Sequence, residues 1–183
     1  MDKLKILESV IRQEFASVVW SHKIQTKQAD LSRYKYSFLK WIDIVTAGIT
    51  SAGLIAVLVT DAQWAKILAA VCSFISFCVT TFLQTFNLCS MAEQNEKAAN
   101  NLWAIRERLI VLLTKIRTDS FTYEQAMSEY ETILENLSKV YKEAPETTPK
   151  AVKKAREALF GSNDNTYSEM EIDHFLPFGL RSK

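Results

Sequence analysis

Residues 67–92 form a run of 26 positions without one charged side chain, and residues 44–60 form a second run of 17 that ends six positions before it. Lipid accepts only segments whose backbone polar groups are satisfied internally, so two such runs predict a hairpin of membrane helices. At helical rise the longer run reaches roughly 39 Å, against a hydrocarbon core of about 30 Å. The shorter covers about 26 Å and completes the span by taking in Trp41, Ile42 and Asp43 at its edge. The competing account is a soluble bundle with two buried helices. It leaves unexplained why charge is missing all round the second helix rather than from one face.

The rest of the chain is wet. It carries 22 Lys and Arg against 21 Asp and Glu, and its near-zero mean hydropathy averages unlike parts. That balance excludes a polyanion-binding protein as a whole, and no direct nucleic-acid binding is expected. All three prolines lie beyond residue 144 and glycines number four. The first 117 residues therefore read as uninterrupted helix, and no alternating strand pattern appears. The fold class predicted is all-α, a transmembrane helical hairpin with a cytoplasmic helical bundle or coiled-coil stalk. Cys72, Cys78 and Cys89 all fall in the second hydrophobic helix, where they read as small reduced hydrophobes. A disulfide between subunits stays open.

Eight Lys or Arg in the first 40 residues argue against a cleaved signal peptide. Lys23, Lys27, Arg33, Lys35 and Lys40 precede the first span and Lys97, Arg106 and Arg108 follow the second. The turn between them offers Lys66. The positive-inside rule thus places both termini in the cytoplasm. Trp41 and Trp64 suit the inner and outer headgroup layers.

The chain divides as one unit: 1–41, N-terminal cytoplasmic helices; 42–60 and 66–90, the hairpin; 91–160, a helical stalk; and 161–183, a tail with a short helix. Leu4, Leu7, Ile11, Phe15 and Val18 make one apolar helical face, and Leu31, Tyr34, Phe38 and Trp41 make another. The polar stretch 25–30 between them is a place for a bend. Met91, Asn95, Ala98, Leu102, Ile105, Leu109, Leu112 and Ile116 alternate four and three residues apart, the seam of a coiled coil or tight bundle. Since copies could meet along it, it is the candidate oligomer seam. One rod from residue 66 to 117 would measure roughly 78 Å. Asn95 on that seam either fixes register or marks fraying near the membrane.

Thr122 and Gln125 have capping-box spacing, as do Ser168 and Glu171. Thr148 followed by Pro149 starts another helix, which Gly161 ends; Pro177 stops the last one.

Chemistry is sparse. His22 and His174 lie in opposite end segments and read as exposed, the cysteines lie in lipid, and the glycines make no phosphate loop. No enzyme, metal site or cofactor is expected. The membrane helices say more. Ser73, Ser76, Thr80, Gln84 and Asn87 share one side of the second helix, and Asp43, Thr46 and Thr50 with Gly53 answer them on the first. Either these groups hydrogen-bond between helices or they line water. Asp43, repeated round an oligomer, would make an acidic ring; alone, it is a boundary residue reaching headgroup water. Gly48, Ala52 and Ala56 form a small-residue ridge suited to packing within the hairpin or between copies. Lys150, Lys153, Lys154 and Arg156 form a basic face, solvated or in contact with lipid headgroups or a nucleotide phosphate.

The sequence Glu143-Ala144-Pro145-Glu146-Thr147-Thr148-Pro149, the closing Glu171-Ile172-Asp173-His174-Phe175-Leu176-Pro177 and the hairpin layout resemble the SLATT family. The family comprises bacterial two-helix membrane proteins associated with nucleotide-signal or reverse-transcriptase defence operons. The resemblance implies a homo-oligomeric pore-forming effector that kills or arrests the infected cell. It also implies an operon partner, a nucleotide second-messenger synthase or reverse transcriptase, or its nucleotide product. The family has no catalytic residues to carry over. A non-conducting membrane scaffold that holds a soluble partner through its cytoplasmic helices is the alternative.

Overall fold

A computed structural model describes residues 3–60, 63–164 and 166–175 of the chain. The first helix, α1 (Lys3–Thr60), is unbroken over 58 residues, about 87 Å. It carries both parts of the molecule: its second half pairs with α2 (Gln63–Phe86) and its first half with α3 (Leu88–Arg117) and α4 (Tyr123–Glu143). The short α5 (Pro149–Arg156), a π-helical turn (Glu157–Gly161) and α6 (Glu169–Phe175) complete the chain, and no strand occurs among the described residues.

The helix is unbroken through residues 25–30, where Gln25 and Gln28 have partners in other elements. Gln25 Nε2 donates to the Pro145 carbonyl at 3.2 Å, while Gln28 Oε1 accepts from the Thr148 backbone N–H at 3.0 Å and its hydroxyl at 2.8 Å. The stretch is the platform on which the proline-containing connector between α4 and α5 docks. Thr148 Oγ1 also caps α5 and Pro149 opens it, where a missing N–H is harmless. The capping box at Thr122 and Gln125 forms at the start of α4. At α6, the Ser168 backbone N–H and hydroxyl each donate to Glu171 Oε2 at 2.8 Å and hold its carboxyl below the usual carboxylate range. Pro177 lies outside the described residues.

The first apolar face of α1 meets α3 and α4 in one core, whereas of the second face Tyr34, Phe38 and Trp41 stand exposed on the segment leading into the hairpin. Leu7, Ile11 and Val18 of α1 pack with Leu102, Ile105, Leu109, Leu112 and Ile116 of α3 and with Ala126, Tyr130, Ile133 and Leu137 of α4. The heptad seam therefore finds its partners inside the chain. Asn95, Ala98, Leu102, Ile105, Leu109, Leu112 and Ile116 are buried, while Met91 is 42% exposed. Apart from Met91, the candidate oligomer seam is buried within the single chain. Asn95 sits fully buried and donates to the Met91 carbonyl at 2.6 Å.

A second expectation, the continuous rod from 66 to 117, gives way at Asn87. That residue adopts φ 37°, ψ 53°, the left-handed region, and separates α2 from α3. Its side-chain oxygen accepts from the Ser90 N–H at 3.3 Å, so it ends one helix and caps the next.

The hairpin is exposed where a soluble protein would be buried. The most apolar windows of its two helices are only 6% and 11% buried, and Ile44, Leu54, Ile55, Ile67, Phe74 and Phe77 all stand outward. An apolar belt of that extent in water would be an aggregation surface; in lipid it is the expected exterior. Trp41 and Trp64 are exposed at the two levels expected of headgroup anchors.

Candidate functional site: the polar patch inside the hairpin

Antiparallel pairing of α1 and α2 brings two sets of residues face to face. Toward the turn, Gly53 faces Ala65 and Ala69. A Cβ at Gly53 would lie 3.1 Å from the Ala69 Cβ, so the missing side chain is what lets the helices approach. Ala65, Ala69 and Cys72 are buried there, spaced four and three apart on α2. The ridge expected to pack, Gly48, Ala52 and Ala56, divides differently. Gly48 and Ala52 are exposed, nothing lies within 4 Å of a Cβ at Gly48, and Ala56 is half-buried. The small residues that hold the hairpin are thus mostly on α2, and Gly48 with Ala52 faces outward.

Toward the bundle, the polar groups meet. Asp43 Oδ1 accepts from the Ser76 hydroxyl at 2.6 Å and from the Thr80 hydroxyl at 3.1 Å, and Oδ2 lies 3.8 Å from Lys40 Nζ. Asp43 stands 17 residues before Thr60, roughly 26 Å along the helix. On a span that ends at Thr60, it lies close to the opposite boundary of a hydrocarbon core of about 30 Å. A carboxylate at that depth needs partners, and two hydroxyls plus a lysine whose stem reaches toward the headgroups supply them.

Not every residue of the predicted stripe joins the patch. Thr46 is buried but donates to its own helix, to the Ile42 and Asp43 carbonyls at 2.9 and 3.1 Å; Thr50 donates to Thr46 O at 2.8 Å. Ser73 and Gln84 are exposed on α2, and Asn87 is the cap between α2 and α3. Sequence spacing put Ser76 with Thr80 on one side of α2 and Asp43 on the answering side of α1 but missed Lys40. The i, i+3 interval from Lys40 to Asp43 was the available signal. It also missed Gly53 as the contact glycine, though Ala65 and Ala69 with Cys72 already formed a small-residue face.

An O–H···O⁻ bond at 2.6 Å is in the short, charge-assisted range. In membranes, hydrogen bonds between helices average only about 0.6 kcal/mol and reach about 1.7. The patch is consequently a latch of a few kcal/mol at most, comparable to the 1–3 kcal/mol or so that a binding event elsewhere can contribute through coupling. It holds the two polar sides together without locking them.

The basic face sits apart from this patch. Lys150, Lys153, Lys154 and Arg156 are exposed while Ala151 and Ala155 bury against α1. The face starts where Thr148 meets Gln28, 13 residues or about 20 Å along α1 from Trp41. That exceeds the Debye length of about 8 Å at physiological salt, which disfavours the headgroup reading. Of the histidines, His174 is exposed as expected but His22 is half-buried, its ring 5.3 Å from that of Trp103. Among the described residues no three His, Cys, Asp or Glu side chains cluster to hold a metal ion.

An exposed apolar hairpin, closed by small residues at one end and an acid–hydroxyl patch at the other, on an all-α bundle, defines a two-transmembrane-helix protein. The chain belongs to the SMODS and SLOG-associating 2TM effector domain family 4, whose model matches residues 7–171. It is thus a membrane effector domain of a family associated with defence systems. No curated protein and no solved structure matches the chain.

Proposed function

We propose that the chain is the resting form of a pore-forming effector in the bacterial inner membrane, with both termini in the cytoplasm. Activation breaks the Asp43 latch, and copies assemble with Asp43, Ser76 and Thr80 turned toward water, so that the membrane depolarises and the cell dies or stops growing. Asp43, bonded across the hairpin to Ser76 and Thr80, carries this reading. It supports the reading by offering hydrophilic groups that could face a water column, held by bonds weak enough to open. Two helices cannot enclose a channel, so several copies are required, and the outward Gly48 and Ala52 offer a surface for close approach. Burial of the heptad seam supports this reading over a non-conducting scaffold that holds its partner along that seam. The trigger comes from the operon partner or its nucleotide product.

The test separates latch from lining. Full-length protein in liposomes, and a voltage-sensitive dye in expressing cells, report ion flux for wild type and for the Ser76→Ala, Thr80→Val double variant. The double variant keeps Asp43 but loses both hydroxyl donors, and basal leak is expected to rise several-fold. Adding Asp43→Leu to it should abolish the leak while the protein stays in the membrane fraction. Liposomes that stay equally tight with both donors removed would sink the proposal. Labelling of single cysteines at Gln63 and Ser138 in intact and permeabilised cells checks orientation, with position 63 expected to react in both and position 138 after permeabilisation alone.

A further inference from the structure

A groove remains that the hairpin does not use. It lies on the side of the bundle, between residues 15–20 of α1, Arg106 of α3 and the π-helical turn, and has a volume of about 490 Å³. Phe15, Val19 and Trp20 form one wall, Leu159 and Phe160 the other, and Arg106 reaches in from α3. The volume falls in the range of about 300–1,000 Å³ typical of small-molecule sites, which are mostly apolar with a few placed polar groups. The π-helical turn shapes it. The wider turn sets Phe160 against Trp20 at 6.1 Å between ring centroids and leaves it 74% exposed; such turns recur at functional positions.

Charge fixes the kind of occupant. The one acidic side chain in the lining, Asp164, is already paired with Lys23 Nζ at 3.0 Å. Arg106 lies over the Trp103 ring at 4.3 Å and near Phe15 at 5.8 Å, with its Nε buried and without a partner among the described residues. Its outer pair, Glu107, is half-exposed on the solvent side. Neighbouring His22 has its pKa pushed down by burial and then by the charges of Lys23 and Arg106, which marks the local field as positive. An aromatic slot with an incompletely satisfied guanidinium accepts a planar body carrying one negative group. Lipid is out of reach, since Trp20 lies 21 residues before Trp41, about 32 Å along α1.

We propose that the groove between Trp20, Phe160 and Arg106 binds a soluble small molecule, a planar apolar body bearing a single carboxylate or phosphate. Binding is read without ion flux, so this inference stands or falls separately from conduction by the hairpin.

The full chain in lipid nanodiscs is titrated with 2-naphthoate, and with neutral 2-naphthylmethanol, under saturation-transfer NMR with empty discs subtracted. Saturable naphthoate binding is expected, weakened about tenfold or more by loss of the charge on either side, in the alcohol or in Arg106→Gln. Ala16→Trp, which fills the groove from an exposed position and leaves Arg106 intact, should abolish it. Helical content by circular dichroism confirms that each variant folds. Equal binding of acid and alcohol, unchanged binding by Ala16→Trp, or no saturable naphthoate signal would overturn the proposal.

Discussion

Two residues carry predictions that their neighbours do not. Gly53 meets Ala69 so closely that any side chain must push the helices apart, whereas Gly48, five positions earlier, has open space around it. Gly53→Ile is expected to destabilise the hairpin by about 1–3 kcal/mol, the usual range for overpacking, while Gly48→Ile leaves the single chain nearly unchanged. Unfolding in mixed detergent micelles reads the difference, and equal loss from both would mean that α1 turns its other face to α2. His22 predicts a pH dependence. Its folded pKa is below the ordinary 6.5, first because of burial and then because of Lys23 and Arg106. Below pH 6.5 the unfolded chain therefore binds the proton more readily, so stability falls as pH drops through the folded value and is fully present above 6.5. Thermal unfolding should show a lower midpoint at pH 5 than at pH 7.5, and His22→Gln should flatten that slope.

Among the elements, Asn87 is the place where reading the sequence and observing the fold part. Helix termini announce themselves through Gly, Pro or a Ser, Thr, Asp or Asn cap; residues 66–117 hold no Gly or Pro, and Asn87 reads as a member of the polar stripe. An asparagine in the left-handed region leaves no periodic trace, because the apolar spacing resumes on its far side. Asn is the residue type that tolerates this conformation best after glycine. Asn87→Ala loses the bond to Ser90 and keeps the strained backbone, so a loss of about 1–2 kcal/mol is expected. Asn87→Gly should lose only a few tenths. Denaturant unfolding of the two variants distinguishes them, and indifference to both would show that the break is set by packing alone. Other elements were legible from local rules: the capping boxes at Thr122 and Ser168, the Pro149 start, the apolar face of α1 from Leu4 to Val18 and that of α3. What periodicity cannot supply is the partner of a face. The seam from Leu102 to Ile116 carries the same pattern whether it meets another copy or, as here, Ile11 and Ile133 of its own chain. The latch was half legible for the same reason: spacing aligned Ser76 with Thr80, but only the antiparallel register brings Asp43 opposite them.

At the scale of the molecule, α1 joins everything. It is one helix from the groove at Phe15 to the turn at Thr60, while the return path through α2 and α3 is interrupted at Asn87. Any change in the bundle therefore reaches the hairpin through a stiff rod on one side and a jointed one on the other. Between the last bundle contact and Asp43, α1 is held laterally by the Arg33–Glu96 ion pair and by Lys35 over the Phe82 ring at 5.2 Å, both on exposed surface and individually weak. The backbone of α1 runs unbroken across that segment. Ser37→Pro, at an exposed position of that segment, removes one backbone hydrogen bond and clashes with a carbonyl one turn earlier, breaking the rod at a local penalty of about 3 kcal/mol. The bundle core and the Gly53 contact lie outside the disturbed turn and should persist, so the variant is expected to remain in the carbonate-resistant membrane fraction with its helical content intact. If activation runs along α1, triggered depolarisation of expressing cells should fall to the level of an empty membrane, while the leak caused by Ser76→Ala with Thr80→Val, which acts inside the hairpin, should survive the added proline. Retention of triggered depolarisation in Ser37→Pro would instead route the signal through Asn87 and α2.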